Sequence, residues 1–407
     1  MRTLVYNIGL MATPQGSCAT AEQGNVTFLK DAYLISENGI ITEIGTGTPP
    51  EVDGLNIDAA GLLVTPGLVD AHTHLVFGGW REHELALKRK GVPYLEILAQ
   101  GGGILSTVKM TREYAESELC LKAEQVLEQM LAHGVTTCES KSGYGLDVET
   151  ELKQLSVNRR LNLRQCVEVV STYLGAHALP VEYKENREGY LTLMEELLPR
   201  IAEEKLAEFC DVFCETGVFT AEEATRILKA AQACGLKCKM HADEINPIGG
   251  TEAAGALGAV SVEHLIAATD EGIAAMAKAG TVAVLLPATS FYLNKPYARA
   301  RDMIAAGVPV AVATDFNPGS CPSSNLQLAM NLACWNYGLS PEEVLTAVTL
   351  NAAAALCRAD RLGTLEVGKQ ADFVIWNAEN LEYLFYRFGE NLTSVVVKKG
   401  KVVYRKG

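Results

Sequence analysis

Short apolar runs alternate with longer amphipathic stretches between about residue 62 and residue 314. The runs have the length of strands and the stretches have the spacing of helices, which is typical of repeated βα units. Eight strands are predicted, over residues 62–70, 135–139, 167–173, 212–214, 237–241, 261–263, 281–286 and 310–314. Helices are predicted between them, among others over residues 149–160, 191–204, 221–233 and 302–306. This pattern predicts an α/β protein built on a closed (β/α)8 barrel of the TIM type.

The two ends of the chain have a different pattern of apolar and turn residues. Residues 3–6 and 40–44 are short β-type runs, separated by clusters of turn residues. Residues 372–376 and 394–404 have the same character, and the pair Lys399-Gly400 within the second run indicates a hairpin turn. We therefore expect both ends to form small, mainly antiparallel sheet structure.

These two sequence patterns divide the chain into two predicted domains. Residues 1–60 and 365–407 are expected to build a small β-sandwich together, and residues 61–364 to form the barrel. The first connection of the barrel, over residues 75–134, is overlong and is expected to fold over the site.

Composition and charge restrict the partners. Of the 407 residues, 48% are hydrophobic and 21% are charged, which is ordinary for a folded enzyme. The 35 Lys and Arg against 49 Asp and Glu give a net charge of −14, which repels nucleic acids and anionic membrane surfaces. We expect a small-molecule substrate; an anionic one would need a locally placed cation. A homodimer is also expected.

The chain carries no predicted targeting or disulfide pattern. No apolar stretch approaches the ~18 residues that a membrane helix needs, and Asn7 and Gly9 interrupt the N-terminal apolar run. The 11 cysteines are scattered and include no Cys-x-x-Cys pair. These features predict a cytoplasmic protein with no membrane association.

Histidines and a carboxylate follow several of the predicted strands. His72 and His74 come after the first strand, where alternate residues project to the same side and can bind one ion together. His241, His264 and Asp315 lie at the ends of strands five, six and eight. Strand ends meet at the C-terminal face of a barrel. Such a set suits zinc, ferrous or manganous ions with an activated water, although His72 and His74 packed in the core are the alternative.

One carboxylate is placed for proton transfer. Glu244 comes three residues after His241, within reach of an activated water and of a leaving nitrogen, and it is interpreted as a general base. The alternative is a solvated loop carboxylate or a charge at a helix start, and Asp243 is the better candidate for that role.

Further polar residues lie near the same face. Arg81 follows the histidine pair and can bind a substrate carboxylate through two hydrogen bonds, or it is a surface arginine. His177 follows strand three and either reaches the site or packs beside it. Gly101-Gly102-Gly103 is interpreted as a flexible loop, because no Gly-Lys-Ser/Thr follows it. His133 ends a helix-like run, which indicates a structural role.

The chain resembles the amidohydrolase superfamily over nearly its whole length. The resemblance rests on Thr65–Asp70 before the histidine pair, on His241 and Asp315, and on Gly368–Phe373. Four further segments resemble the members that open a cyclic amide in histidine degradation; these are residues 139–146, 241–244, 286–293 and 314–320. The resemblance implies hydrolysis of 4-imidazolone-5-propionate to N-formimidoyl-L-glutamate.

The same resemblance implies a role for each matching residue. It gives one divalent or trivalent metal ion per chain, zinc or iron, with the ligands His72, His74, His241 and Asp315. Glu244 would shuttle the proton, and His264 would polarise the carbonyl oxygen. The implied substrate contacts are Arg81, Tyr144, His177, Glu244, Asn317, Gly319 and Ser320.

The expectation of a single metal has a separate basis. Relatives with two metals bridge them with a carboxylated lysine at the end of strand four, where this chain reads Asp211–Glu215 without a lysine. Lys141 is expected at the rim but on the wrong side for such a bridge, and Glu215 is interpreted as a hydrogen-bonded structural group. Two other functions stay open: a nucleobase deaminase, and an inactive scaffold.

Overall fold

The computed structural model describes residues 1–92 and 102–407, so Gly101 of the glycine run lies outside the described residues. The strands are β1 Arg2–Pro14, β2 Val26–Glu37, β3 Ile40–Thr46, β4 Leu55–Asp58, β5 Leu63–Pro66, β6 Leu68–Asp70, β7 Val135–Lys141, β8 Glu168–Ala176, β9 Phe209–Cys214, β10 Lys237–Ala242, β11 Ser261–His264, β12 Val282–Leu285, β13 Val310–Val312, β14 Phe373–Trp376, β15 Thr393–Lys398 and β16 Lys401–Arg405.

The α-helices of the described residues are α1 Leu85–Arg89, α2 Ile104–Glu113, α3 Glu116–Ala132, α4 Val148–Arg164, α5 Arg187–Glu203, α6 Ala221–Ala233, α7 Gly250–Leu257, α8 Asp270–Ala279, α9 Pro287–Leu293, α10 Ala300–Ala305, α11 Leu326–Asn336, α12 Pro341–Ala347, α13 Leu350–Ala355 and α14 Leu381–Tyr386. Short 3₁₀-helices cover Glu82–Glu84 and Val181–Tyr183. No helix in this described part is long and apolar enough to cross a membrane.

Strands β6 to β13 are parallel and neighbour one another in chain order, which confirms the predicted barrel. The inner strands are buried along their length; every residue of β12, for example, is buried. This explains why they appear in the sequence as continuous apolar runs rather than as alternating ones.

The predicted strand over residues 62–70 is in fact two strands. Strand β5 pairs with β1 and β14 in the other sheet, and only β6 belongs to the barrel. The chain changes sheets at Gly67, where a Cβ atom would lie 2.5 Å from the Thr136 hydroxyl. Only glycine fits this close approach.

The barrel closes between its first and last strands, β6 and β13. The contacts there are made by residues 70–74 on one side and residues 314–316 on the other, and we call this junction the seam. The amide of Asp315 donates to the His72 carbonyl (3.0 Å), and the amide of His74 donates to the Phe316 carbonyl (2.9 Å). The Thr314 amide and hydroxyl donate to the two carboxylate oxygens of Asp70, at 3.0 and 2.6 Å. The seam therefore fixes two of the predicted metal-binding segments against each other.

Both chain ends contribute to a separate eight-stranded sheet, as predicted. Its order is β16-β15-β14-β5-β1-β2-β3, with β4 also paired to β1. Because β1 runs parallel to β4 and β5, the sheet is mixed rather than antiparallel throughout. Lys399 and Gly400 both have positive φ (49° and 70°), as a two-residue hairpin turn requires, which confirms that prediction.

This mixed sheet is anchored at the beginning of barrel strand β7. The Lys398 ammonium donates to the Thr136 carbonyl (2.9 Å) and to the Asp372 carboxylate (2.7 Å), and all three groups are buried. Thr136 lies near the N-terminal end of its strand, so the mixed sheet leaves the C-terminal face of the barrel free. The exact domain boundaries at 60/61 and 364/365 stay predictions.

Candidate active site

Three histidines and one aspartate meet at the C-terminal face of the barrel, which we call the mouth. The Nε2 atoms of His72 and His74 lie 3.4 and 3.7 Å from Asp315 Oδ1. The ring centroids of His72 and His241 are 4.6 Å apart. Ligand atoms of His72, His74 and Asp315 lie within 4.8 Å of one another, as do those of His72, His241 and His264. The structure thus brings together the residues predicted to bind a metal.

The unpartnered nitrogen atoms of this group fit a metal ion. Both ring nitrogens of His72, Nδ1 of His74 and Nε2 of His241 are buried without a hydrogen-bond partner. Burial, followed by nearby cationic groups, holds the pKa values of His72 and His74 well below the usual histidine range. Neutral imidazoles are the form that binds a metal. Leaving such nitrogens buried and unpaired is costly, and a bound cation would remove that cost.

Asp315 and His264 have backbone conformations that are rare outside glycine. Their φ angles are 55° and 73°, in the left-handed region. The Thr289 hydroxyl donates to Asp315 Oδ2 (2.6 Å), which leaves Oδ1 toward His72 and His74. Backbone strain of this kind is concentrated at functional sites.

Glu244 and His264 face each other across the mouth. Glu244 Oε2 lies 3.7 Å from His264 Nε2. Burial raises the pKa of Glu244 to about 7 and lowers that of His264 to about 4. Asp243 is buried rather than solvated, and it accepts a hydrogen bond from the Thr251 hydroxyl at the start of α7, which agrees with the alternative of a charge at a helix start. Glu244, unlike Asp243, thus faces His264 at the mouth.

Arg81 lies at the mouth and is not a surface residue, since only 8% of it is exposed. Its Nε and Nη2 atoms donate to the two oxygens of Glu84, both at 3.0 Å. Lys88 also reaches Glu84 (3.1 Å) and donates to the Gly319 carbonyl (2.8 Å). The Gly103 amide donates to Glu84 as well (2.6 Å), so this end of the glycine run is a structural helix start. Glu84 thus holds one edge of the guanidinium and leaves Nη1 for another ligand.

His177 and Tyr144 lie beside the metal-binding histidines. The His177 ring stacks on that of His74, with centroids 4.9 Å apart and planes at 11°. Its Nδ1 bonds to the Gly143 carbonyl (3.0 Å), and burial lowers its pKa to about 3. The Tyr144 ring is 5.3 Å from His177. His177 therefore reaches the mouth, and Tyr144 lies beside it; contact of either residue with a substrate stays a prediction.

The segment from Asp315 to Ser320 is shaped by Asn317. Its amide group donates to the Asp315 carbonyl and to the Ser320 hydroxyl, both at 2.7 Å. Its Oδ1 accepts from the amides of Gly319 (2.8 Å) and Ser320 (2.7 Å). These bonds use the whole hydrogen-bonding capacity of Asn317, which makes it a support for the loop.

Three residues that matter to the site's geometry were not among the sequence candidates. They are Glu84, Asp211 and Thr289. Lys141 was misplaced: it is fully buried inside the barrel, 2.7 Å from Asp211, and not at the rim. The alternation of β7 carries a signal for this, because Glu139 and Lys141 are two residues apart and share one side of the strand.

The amidohydrolase family matches residues 63–403, and the chain belongs to that family. Among curated relatives it is similar to the imidazolonepropionase of Treponema denticola, with 53% identity over 96% of each chain. It is 50% identical to the imidazolonepropionase of Alkaliphilus metalliredigens, over 99% of this chain and 98% of the relative. The imidazolonepropionase of Bacillus cereus is also 50% identical, over 100% and 97%.

Solved structures share the fold at low identity. A triazine hydrolase variant superposes with a TM-score of 0.77 at 17% identity, over 99% of this chain and 95% of that chain. The 5-methylcytosine deaminase of Klebsiella pneumoniae gives 0.76 at 19% identity, over 99% and 98%. At these identities the likeness supports the barrel and mixed sheet and says nothing about the substrate.

Proposed function

We propose that this chain hydrolyses 4-imidazolone-5-propionate to N-formimidoyl-L-glutamate, as its relatives' name indicates. The structural observation that carries the proposal is a buried arginine beside a histidine and aspartate group that fits a metal. Such an arginine suits a substrate with a carboxylate tail, whereas a neutral nucleobase has no anionic group for it to bind. The deaminase alternative is therefore less well supported.

One metal ion, zinc or iron, would be held by His72, His74, His241 and Asp315. When bound, it would supply Lewis-acid polarisation and lower the pKa of water. All four residues are at least 97% buried, so they would hold the ion away from bulk solvent.

Glu244 is proposed to move the proton. It takes one proton from the attacking water as oxygen adds to the ring carbonyl carbon, and it gives that proton to the ring nitrogen as the C–N bond breaks. The second proton of the water passes from the new carboxyl group to the basic formimidoyl group. The product is then one open chain with a new carboxylate and a protonated formimidoyl group, so atoms and charge balance. A carboxyl group with a pKa near 7 is suited to both transfers.

The other residues at the mouth are proposed to orient the substrate. His264, neutral because burial lowers its pKa to about 4, donates to the carbonyl oxygen. Arg81 binds the propionate carboxylate, and Tyr144 and His177 contact the ring. Asn317 holds Gly319 and Ser320 against the same end of the substrate. The proposal includes a homodimeric, cytoplasmic protein that binds neither nucleic acid nor membranes.

The proposal is tested by incubating the purified protein with imidazolonepropionate and following the loss of its ultraviolet absorption. We expect stoichiometric conversion without release of ammonia. Ammonia from cytosine or guanine, with no loss of imidazolonepropionate, would support the deaminase alternative. No turnover of any of these compounds by metal-loaded protein would indicate an inactive scaffold.

Arg81→Lys is expected to raise KM for imidazolonepropionate by roughly 10- to 100-fold. Glu84 holds the Nε and Nη2 edge of the guanidinium, and a lysine, which has a single nitrogen, cannot pair with Glu84 and also keep a donor at the position of Nη1. Metal content should be unchanged. The measurement is steady-state kinetics with elemental analysis of the same samples. Hydrolysis of an imidazolone without the propionate tail serves as the control, and it should differ little between the two proteins. An unchanged KM for the full substrate would remove Arg81 from the binding site.

A further inference from the structure

Five charged side chains are buried inside the barrel, directly beneath the metal-binding group. They are Glu139, Lys141, Asp211, Lys239 and Glu263, and each is 0% exposed. Burying an ion is costly unless it is paired and hydrogen-bonded. None of these residues is among those proposed to touch the substrate or the metal.

The cluster contacts the site through Asp211, while Glu263 has an oxygen within 4.8 Å of a ring nitrogen of His241. Asp211 Oδ2 lies 2.9 Å from Nδ1 of His241, and Oδ1 accepts a hydrogen bond from the backbone amide of the same histidine (3.1 Å). One carboxylate thus contacts both the ring and the backbone of His241. Two contacts to one residue fix the rotation of the imidazole as well as its position.

Lys141 holds Asp211 in this arrangement. Its ammonium lies 2.7 Å from Asp211 Oδ2 and 3.0 Å from Glu139 Oε2, with Glu263 further away at 3.9 Å. The same oxygen of Asp211 is therefore shared between Lys141 and the ring of His241.

We propose that Asp211 is a positioning residue for the metal ligand His241 and that Lys141 acts through Asp211. The carboxylate keeps the proton of His241 on Nδ1, so that the lone pair of Nε2 is available for the metal. The ring centroids of His241 and His72 are 4.6 Å apart. The inference rests on the proposed metal site, and it concerns metal affinity rather than the identity of the substrate.

The chain contains a matched control for Lys141. Lys239 is a second fully buried lysine in the same cluster, and its ammonium lies 2.9 Å from Glu139 Oε1 and 4.0 Å from Glu263 Oε1. No contact joins it to Asp211 among the ion pairs of the described residues. Replacing either lysine by methionine removes one buried ammonium group and keeps a side chain of similar length. Only the replacement of Lys141 removes a contact to Asp211, the carboxylate that holds His241.

The test is the zinc affinity of full-length Lys141→Met, Asp211→Asn and Lys239→Met, measured by competition with a chromophoric chelator. We expect the first two variants to bind zinc about 10- to 100-fold more weakly than the parent protein. Lys239→Met should stay within about threefold, even where it lowers the melting temperature as much as Lys141→Met does. The absorption spectrum of the cobalt-loaded protein should change in Asp211→Asn and remain unchanged in Lys239→Met.

Equal weakening by the two methionine variants would overturn the proposal, because the cluster would then be purely structural. Parental zinc affinity in Asp211→Asn would also overturn it. Lys141→Arg keeps the charge and should recover much of the affinity, which keeps the test decisive if Lys141→Met does not fold. Because the readout needs no substrate, failure to hydrolyse imidazolonepropionate would refute the proposed reaction and leave this inference standing.

Discussion

Glu244→Gln is expected to lower kcat by about 10²- to 10⁴-fold while the metal content stays at the parental level. Glutamine keeps the shape of the side chain but cannot accept the proton of the attacking water. Steady-state kinetics and elemental analysis of the same preparations measure the two effects separately. Parental kcat in this variant would mean that another group, such as His264, carries the proton.

The same residue sets the expected pH dependence. The carboxylate is the active form of Glu244, and burial raises the pKa of this group to about 7. We therefore expect kcat/KM to fall as the pH is lowered through the pKa of Glu244. A cation bound nearby would favour the carboxylate and move this fall to a lower pH. Glu244→Gln should lack this acidic limb. Asp243→Asn is the control. Asp243 accepts a hydrogen bond from Thr251 and has no proposed part in proton transfer, so this variant should keep the acidic limb. Loss of the limb in Asp243→Asn alone would reverse the assignment.

Removal of the metal with a chelator is expected to lower activity by roughly 10³-fold or more, because several kcal/mol of transition-state stabilisation are lost. One equivalent of zinc or ferrous ion per chain should restore it. Titration of the apoprotein with metal, with activity followed at each step, gives both the loss and the stoichiometry. Full activity after complete chelation would contradict the metal-dependent reaction.

The expectation of one metal ion per chain rests on the surroundings of Glu215, the carboxylate that directly follows strand β9. Its two oxygens accept hydrogen bonds from the amides of Thr216 (2.7 Å), Ile245 (2.9 Å) and Asn246 (3.2 Å) and from the Asn246 side chain (3.0 Å). A carboxylate used in this way supports the loop that carries Glu244. Two equivalents of metal, with one lost in Glu215→Ala, would contradict a single site.

Much of the fold and the metal group could be predicted because both depend on local patterns. A buried barrel strand produces a continuous apolar run, and the ends of such runs locate His241 and Asp315 at one face. The spacing of His72 and His74 needs only the two-residue period of an extended chain. These inferences require no knowledge of long-range contacts.

The features that escaped prediction depend on contacts between distant segments. The change of sheets at Gly67 is caused by the side chain of Thr136, and the support of Arg81 by Glu84 depends on a turn of 3₁₀-helix. Lys141 was expected at the rim because the second barrel strand was predicted to end at residue 139, whereas β7 continues through Lys141. Its true position requires Asp211, 70 residues later, to be inside the same barrel.

The seam implies that the proposed metal also contributes to the stability of the closed barrel. His72 and His74 lie on one side of the seam and Asp315 on the other. The hydrogen bonds that join the two sides connect residues 242 to 244 positions apart. Joining chain segments so far apart has a high entropic cost, and an ion bound from both sides would act as a cross-link that stabilises the closed ring. By the same linkage, a local opening of the seam would separate the ligands. Exchange of the ion with solvent would then be limited by the rate at which the first and last strands of the barrel part.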